Sequence, residues 1–235
     1  MNQRLLQVSN NKFRSLFGEE WYNVLEHVLR SVYWKRIGQK IAQERDIYTI
    51  YPEKGSDLLF KAFRTTPLSE VKVVILGQDP YHDGSYDGFA FSNRESLRLS
   101  PSLVNILKEV ESDIHDGFQI GQSPELERWA KQGVLLINTA HTVRKGDPGS
   151  HLEYWTEFTK QVLLLLQQQN RPIVWLLWGK KAEIAGEAVR MNEKHLVLTS
   201  PHPSPFSAHT GFFGNKHFSQ ANEYLKANDF TEILW

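Results

Sequence analysis

Four short apolar segments, separated by segments of helical character, constrain the fold of this chain most strongly. They span residues 71–76, 134–137, 173–177 and 195–198, and each ends in turn or polar residues. Their apolar residues do not alternate with polar ones, which is typical of strands buried on both faces. Strands that alternate with helices favour a parallel sheet. The sequence therefore predicts an α/β fold: a single three-layer α/β/α domain with a central four-stranded parallel sheet flanked by helices.

Capping signals and amphipathic spacing predict the helices. Ser100 precedes Pro101, so Ser100 is expected to cap a helix that begins at the proline. The pair Ser123-Pro124 repeats this signal, and Gly133 is placed to end the second helix. Further helices are predicted over residues 19–45, 154–169 and 180–190.

Size and composition restrict the function further. The 235 residues suit one domain, over residues 19–235, preceded by an extension over residues 1–18 whose degree of order the sequence leaves open. The formal net charge is zero, so any affinity for nucleic acid must come from local placement of positive charge. The absence of cysteine excludes disulfides and thiolate metal sites. Without an apolar stretch of signal-peptide or membrane-spanning length, a cytoplasmic protein is expected.

Polar and aromatic side chains follow the four predicted strands. GQDPYH follows the first, Asn-Thr the second, Trp-Gly-Lys the third and SPHPSPFS the fourth. In open parallel sheets, ligands bind beyond the carboxyl ends of the strands, so all four ends are expected to face one crevice. The crevice is predicted to hold Asp79, Tyr81, Asn138, His202 and the Ser204 loop, with Phe91 folded back over it.

Each of these residues, taken alone, also has a purely structural interpretation. Asp79 before a proline suits a turn, Tyr81 and Phe91 suit a core, and Asn138 suits a cap. His202 is harder to explain in this way, because the prolines on both sides exclude a regular helix or a central strand. A carboxylate, an amide and an imidazole at the strand ends together favour a functional site.

Five motifs make the chain resemble uracil-DNA glycosylases of the uracil-N-glycosylase type. They are GQDPYH, GFAFS, KQGVLLINT, LLWGKKA and HPSPFSAHTGFFGNKHFSQANEYL, and the resemblance runs from about residue 19 to residue 235. GQDPYH and HPSP in this order are highly specific. The resemblance implies a DNA repair enzyme that flips deoxyuridine out of the DNA stack. It would hydrolyse the N-glycosidic bond, release uracil and leave an abasic site.

The resemblance implies a role for each residue around the base. Tyr81 would stand against C5 and exclude the methyl group of thymine, and Phe91 would stack on the flipped ring. Asn138 would pair with N3–H and O4, where cytosine presents the opposite pattern of donor and acceptor. Backbone groups of Gln78 would help to hold the pyrimidine edge.

Two residues are implied in bond cleavage. His202 would donate a hydrogen bond to O2, where negative charge develops on the leaving base. A neutral imidazole can do this if its other nitrogen is held by an acceptor. Asp79 would stabilise the cationic sugar and orient the attacking water. The resemblance implies no metal and no other cofactor, because the leaving group is a delocalised anion.

The implied partner is uracil-containing DNA, single- or double-stranded. The protein would bind this DNA as a monomer, and no membrane is involved. Ser-Pro loops would grip phosphates through small hydroxyls and backbone N–H groups, which need little net charge. Phe206, where the family usually has leucine, would fill the gap left by the flipped base. Protein inhibitors of this family capture that leucine, so the exchange to phenylalanine affects how they would fit. The predicted DNA contacts are Ser102, Lys180, Ser204, Phe206 and Ser207.

Other departures from the family pattern affect the same region. Thr210 replaces a usual arginine, and Lys180, where serine is common, either restores that charge or is a solvated surface lysine. The loop DGSYDG, residues 83–88, lacks a usual Gly-Pro and is one residue shorter. Ala140 and His141 replace an apolar pair, for which the sequence offers no reason.

Two other functions are considered beside this one. A metal-dependent phosphoesterase would use the oxygen and imidazole groups of Asp79, His82, Asp83, Asp87 and His202. A non-catalytic module would bind single-stranded DNA by stacking bases on its aromatic side chains. Activity that survives a strong chelator would exclude the first function, and release of free uracil would exclude the second.

Overall fold

A four-stranded parallel sheet forms the centre of the structure, a computed structural model that describes residues 11–94, 99–117 and 123–235. Three of its strands are buried along their whole length, as a sheet covered on both faces requires. The predicted α/β fold and its four parallel strands are confirmed. In chain order the strands are β1 (Ile50–Tyr51), β2 (Val73–Gly77), β3 (Val134–Asn138), β4 (Val143–Arg144), β5 (Ile173–Trp178) and β6 (His195–Ser200).

The strand order in the central sheet is β3-β2-β5-β6, and all neighbouring strands are parallel. The short strands β1 and β4 form a separate antiparallel pair, which the sequence did not predict because two residues are too few to give a periodic signal. After a helical segment at residues 11–17, the α-helices are α1 (Glu19–Leu29), α2 (Val32–Arg45), α3 (Lys61–Thr65), α4 (Pro101–Ile114), α5 (Glu127–Ala130), α6 (Leu152–Gln167), α7 (Lys180–Ala185) and α8 (His217–Ala227).

The capping prediction for α4 is confirmed, whereas the one for α5 is wrong. Ser100 caps α4, because its Oγ accepts a hydrogen bond from the Leu103 N–H at 3.2 Å. Ser123 instead closes a tight turn by accepting from the Glu125 N–H at 3.2 Å. The helix therefore begins only at Glu127, and it ends before the turn that contains Gly133.

Two helices predicted as continuous are interrupted. The stretch over residues 19–45 is divided into α1 and α2, because Ser31 caps α2 and accepts from the Trp34 N–H at 3.1 Å. The stretch over residues 180–190 is divided at Gly186, a poor helix former, into α7 and a 3₁₀ helix at Glu187–Met191.

An aromatic cluster fills the core beside α6 and includes the unexplained histidine. The ring of His141 lies 5.0 Å from that of Trp155 and 5.2 Å from that of Phe158, centroid to centroid. Burial lowers the pKa of His141 to about 3, so the ring is neutral at physiological pH. His141 therefore packs as an aromatic core residue, in agreement with the apolar character expected at this position.

The described part of the N-terminal segment packs on the same cluster. Residues 11–17 are helical, and Phe17 is fully buried with its ring stacked 4.1 Å from that of Phe60. The domain boundary at residue 18 stays a prediction, and residues 1–10 lie outside the described residues. Among the helices of the described segments, none has both the length and the apolar character needed to span a membrane.

Candidate active site

Asn138 lies at the carboxyl end of β3, directly beside the end of β2. The register pairs Gly77 with Asn138, and a Cβ at position 77 would lie only 2.2 Å from Asn138 Oδ1. A glycine at position 77 is therefore required for the amide to lie across the end of β2. Asn138 is 3% exposed, and its side-chain amide forms no hydrogen bond within the described segments of the chain. This buried amide is available to a ligand.

Asp79 follows β2, and both of its carboxylate oxygens are held. Oδ2 accepts from the backbone N–H of Gly149, and Oδ1 accepts from Gln78 Nε2 at 3.2 Å. Burial raises the pKa of Asp79 above its ordinary value, while these hydrogen bonds and the charges of His82 and Lys181 act in the opposite direction. The carboxylate is oriented and half-buried, as a group that acts on a developing cation requires.

His202 follows β6, and its tautomer is determined by the backbone. Its Nδ1 accepts a hydrogen bond from the Ser204 N–H at 3.0 Å. The expectation that an acceptor holds this nitrogen is therefore wrong: a backbone N–H can only donate, so the proton of the neutral ring lies on Nε2. Burial lowers the pKa of His202, and the positive charge of Lys181 lowers it further. The result is a neutral imidazole with a free Nε2–H donor.

The close approach of β5 and the His202 segment depends on Gly179. A Cβ at position 179 would lie 2.9 Å from His202 Cβ, and the backbone there has φ +87°. Larger residues would be strained in this conformation and would displace the histidine. Gly179 therefore positions His202 from the neighbouring strand end.

Phe91 lies beside His202, and Tyr81 holds its backbone. The ring of Phe91 is 5.7 Å from that of His202 and 5.6 Å from that of Trp178, centroid to centroid. Its φ of +64° is rare for a bulky residue and marks a segment that its surroundings constrain. The Tyr81 hydroxyl donates to the Phe91 carbonyl oxygen at 3.0 Å and also contacts Ser100 Oγ. The structure thus links these two aromatic residues to each other and to His202.

The loop after His202 is internally braced and has an exposed tip. Ser207 Oγ donates to the His202 carbonyl oxygen at 2.8 Å and lies 3.1 Å from Ser204 Oγ. Asn105 Nδ2 of α4 donates to the Pro203 carbonyl oxygen at 2.8 Å. Phe206 is 98% exposed at the tip of this loop. A rigid loop therefore presents a large apolar side chain to solvent.

The shorter loop over residues 83–88 is held by its own carboxylates. Asp83 Oδ1 accepts from the N–H and the hydroxyl of Ser85, at 2.9 and 2.7 Å. The buried Asp87 accepts from Ser92 Oγ at 2.5 Å and from the Phe89 N–H at 3.3 Å. These contacts give both aspartates a structural role.

Within the described residues, no group of three or more metal-binding side chains occurs. The phosphoesterase alternative therefore gains no support.

Three further predicted residues, Ser102, Lys180 and Gln78, have separate surroundings. Ser102 is half-buried in the first turn of α4. Lys180 is 81% exposed, with its Nζ 3.7 Å from a carboxylate oxygen of Glu183. Gln78 has its carbonyl oxygen occupied by the Thr139 hydroxyl and the Ala140 N–H. Of its backbone, only the N–H remains for a ligand at the pyrimidine edge.

Sequence reasoning missed two residues that contact the site. Lys181 Nζ donates to Gln78 Oε1 at 2.7 Å, although Lys180 was the lysine predicted to matter. Gly149 supplies an N–H to Asp79 from 70 residues away, and no local pattern marks such a contact. The helical periodicity of α7 separates the directions of the two lysines, but the sequence alone does not show which of them faces the end of β2.

Comparisons with known proteins identify the family. The family model of the uracil DNA glycosylase superfamily matches residues 63–226. The uracil-DNA glycosylase of Brevibacillus brevis is 43% identical over 223 residues, which cover 94% of this chain and 95% of the relative. Uracil-DNA glycosylase 2 of Bacteroides fragilis is 45% identical over 219 residues, covering 92% and 97%. The chain belongs to the uracil DNA glycosylase superfamily.

Solved structures of this superfamily have the same fold. The crystal structure of mimivirus uracil-DNA glycosylase superimposes with a TM-score of 0.86 at 28% identity, covering 94% of this chain and 87% of that one. A variant of mimivirus UNG in complex with UGI also superimposes with a TM-score of 0.86, covering 94% and 89%. The resemblance to the glycosylase family is thus confirmed over nearly the whole chain.

Proposed function

We propose that this protein is a monofunctional uracil-DNA glycosylase of base excision repair. It hydrolyses the N-glycosidic bond of deoxyuridine in single- and double-stranded DNA, releases uracil and leaves an abasic site. The observation that carries the proposal is the set of groups at one edge of the sheet: the oriented carboxylate of Asp79, the Nε2–H of His202 and the unoccupied amide of Asn138. Family membership supports the same conclusion.

Two residues carry the cleavage step in this proposal. The bond between C1′ and N1 breaks with its electron pair moving to the base, so the sugar becomes cationic and the uracil anionic. His202 donates its Nε2–H to O2 and stabilises the developing negative charge, a contribution of about 10²–10³ in rate for a single donor. Asp79 stabilises the sugar cation and orients the attacking water. The oxygen of this water bonds to C1′, and the proton that it loses balances the charge of the uracil anion. A neutral His202 suits this role, because it donates without needing a proton from solvent.

Four residues recognise the base in this proposal. Tyr81 excludes a methyl group at C5, and Phe91 stacks on the ring. The Asn138 amide accepts from N3–H and donates to O4, which cytosine would leave unpaired in a buried site. The Gln78 N–H contacts the pyrimidine edge, since its carbonyl oxygen is occupied within the protein.

The loops around the crevice bind the DNA backbone in this proposal. Hydroxyls of Ser102, Ser204 and Ser207, with the N–H groups near them, contact phosphates flanking the flipped nucleotide. Phe206 enters the stack in place of the flipped base. Its exposed position on a braced loop supports this role. Lys180, at the start of α7, adds a cation for a further phosphate.

We also propose that the chain acts as a monomer in the cytoplasm, where a bacterial chromosome lies; several of its relatives are bacterial proteins. UGI, which the mimivirus UNG variant binds, is the candidate protein partner. It would have to accommodate the phenyl ring of Phe206.

The decisive experiment is an assay of uracil release with chelator present. Oligonucleotides with U:G, U:A, single-stranded U and T:G are compared, and release from the first three alone is expected. Asp79→Asn should lower kcat by about 10²–10⁴, the range for a positioned carboxylate, while DNA affinity changes little. Asparagine keeps an oxygen that can accept from the Gly149 N–H, and loses only the hydrogen bond from Gln78 Nε2. Equal losses of kcat and affinity would contradict the role of Asp79.

A further inference from the structure

Two consecutive lysines begin α7 and face different surroundings. They differ by about 100° around the helix axis. The ammonium of Lys180 is exposed and lies 3.7 Å from Glu183 of its own helix. The ammonium of Lys181 crosses to the end of β2 and donates to Gln78 Oε1 at 2.7 Å. Only the second lysine is therefore tied to the residue that precedes Asp79.

The contact with Lys181 determines which way the Gln78 amide faces. An ammonium has no acceptor, so the oxygen of the amide must be the atom that faces Lys181. The amide nitrogen is then directed to Asp79, whose Oδ1 lies 3.2 Å away. The Gly149 N–H holds the other oxygen of Asp79. A chain of hydrogen bonds thus runs from Lys181 through Gln78 to the carboxylate.

We propose that Lys181 is a positioning residue, which holds the Gln78 amide and through it the carboxylate of Asp79 in the orientation that cleavage requires. The proposal rests on the glycosylase function proposed above and assigns Lys181 to the chemical step rather than to DNA phosphate.

The charge of Lys181 acts in the same direction on both catalytic groups. It lowers the pKa of Asp79 against the effect of burial, and it lowers the pKa of His202 together with burial. Cleavage needs an anionic Asp79 and a neutral His202, so one cation favours both required states. His82 is a further titratable group near Asp79, and it stays unchanged in every variant below.

The test compares Lys181→Met with Lys180→Met, which removes the same charge one residue away. Uracil release is measured against pH and against salt. Lys181→Met should lower kcat at the pH plateau roughly fivefold, as expected for one lost hydrogen bond, with KM nearly unchanged. It should also move the acid limb of kcat to higher pH, because the pKa values of Asp79 and His202 both rise without the cation. Lys180→Met should change KM and its salt dependence and leave the acid limb in place.

A double-mutant cycle tests whether Lys181 acts through Gln78. At the plateau pH both catalytic groups already have the required charge, so the loss of kcat there reports positioning. In a Gln78→Leu background, Lys181→Met should cause little further loss of plateau kcat, whereas additive losses would contradict the proposed chain. Lys181→Arg should keep the acid limb of kcat at the pH of the wild-type protein, because the positive charge remains. It should keep only part of the plateau kcat, because the planar guanidinium cannot reproduce the single ammonium contact.

The opposite results would overturn the proposal. If Lys181→Met raises KM, reduces the salt dependence by about one phosphate and leaves plateau kcat unchanged, Lys181 is a DNA contact. Unchanged kinetics would also reject the proposal. Because Lys181 is exposed, Lys181→Met should unfold at the wild-type temperature, and Lys181→Arg provides the comparison if it does not. Absence of uracil release by the wild-type protein would instead reject the glycosylase function itself.

Discussion

Tyr81 is held in a way that suits a residue that excludes substrates by shape. Its hydroxyl donates to the Phe91 carbonyl oxygen at 3.0 Å and contacts Ser100 Oγ, so the hydroxyl end of the ring is restrained. Burial raises the pKa of Tyr81, which keeps the phenol protonated and able to donate. In the proposed complex, a methyl group at C5 would collide with the ring itself, and the hydroxyl contacts add to the restraint of the ring.

Removing this ring should admit thymine. Tyr81→Ala is expected to release thymine from T:G oligonucleotides at a rate that the wild-type protein does not reach, with slower uracil release. The measurement is free base released from each substrate. Tyr81→Phe is the matched control, because it keeps the ring and loses only the hydroxyl contacts, and it should still reject thymine. If Tyr81→Ala releases no thymine, another group excludes the methyl.

Single residues also mark the limit of what the sequence can predict at the site. The motifs were sufficient to bring Asp79, Asn138 and His202 to one sheet edge, because strand ends in a parallel sheet converge. The tautomer of His202 was predicted with the wrong partner, since it depends on the backbone N–H of Ser204. Lys181 was missed because a pair of adjacent lysines does not reveal which one turns inward.

At the scale of elements, one helix anchors the loop that reaches Asp79. Glu44 of α2 accepts from Arg144 Nε at 2.7 Å and lies 2.9 Å from Nε2 of the fully buried His151. The segment between these two residues carries Gly149, whose N–H binds Asp79. The hydrogen bond from Arg144 is the main cause that lowers the pKa of Glu44 to about 2. The carboxylate of Glu44 thus connects α2 to the active site.

Glu44→Gln should destabilise the protein in a pH-dependent way. We expect a loss of about 2 kcal/mol in the free energy of unfolding at neutral pH, the value of hydrogen bonds to a charged group. The folded pKa is below the ordinary 4.5, so this stabilisation is complete above pH 4.5 and is lost as pH falls towards 2. Denaturant unfolding at several pH values measures the difference.

The control for this change is Glu157→Gln, which removes an exposed carboxylate on α6. Its effect should stay within about 0.5 kcal/mol at every pH. The free energy of unfolding is compared between the wild-type protein and Glu44→Gln. If this difference stays constant down to pH 2, the charge of Glu44 is not the source of the stabilisation.

The loop that carries Phe206 should matter most where base pairs must be broken. Phe206→Ala is expected to lower kcat/KM on duplex substrates by at least about tenfold, because unstacking costs a few kcal/mol per step. Single-stranded uracil should be processed almost as before, since no pair has to be opened. Phe206→Leu, which keeps an apolar wedge, is the control and should retain most duplex activity. Equal losses on both forms of DNA would argue against a wedge.

Elements with a strong local signal were predicted well, and those that depend on distant contacts were not. The four apolar segments became the four strands, because a fully buried strand needs a continuous apolar run. The helix breaks at Ser31 and Gly186 interrupt otherwise periodic sequences. The two-residue strands β1 and β4 exist only because the folded chain brings them together.

For the whole molecule, zero net charge has to be reconciled with DNA as substrate. Lysine plus arginine and aspartate plus glutamate each number 27, so no global field attracts the phosphates. The proposed backbone contacts are mainly hydroxyls and N–H groups, with Lys180 as the cation assigned to phosphate. Such contacts position DNA without displacing many counterions. The affinity of this protein for DNA should therefore depend less on salt than is usual for a DNA-binding protein.

This weak dependence can be measured with the Asp79→Asn variant, which is expected to bind substrate without rapid turnover. The slope of log affinity against log salt should be no steeper than about −2, since each neutralised phosphate contributes about −0.9 on duplex DNA. Between 50 and 200 mM salt, affinity should then fall by at most about sixteenfold, against about 10³–10⁵ for proteins with six to ten such contacts. Adding Lys180→Met should bring the slope about one unit closer to zero. A slope near −5 would require a cationic path along the surface, and the serine loops would then not be the main phosphate contacts.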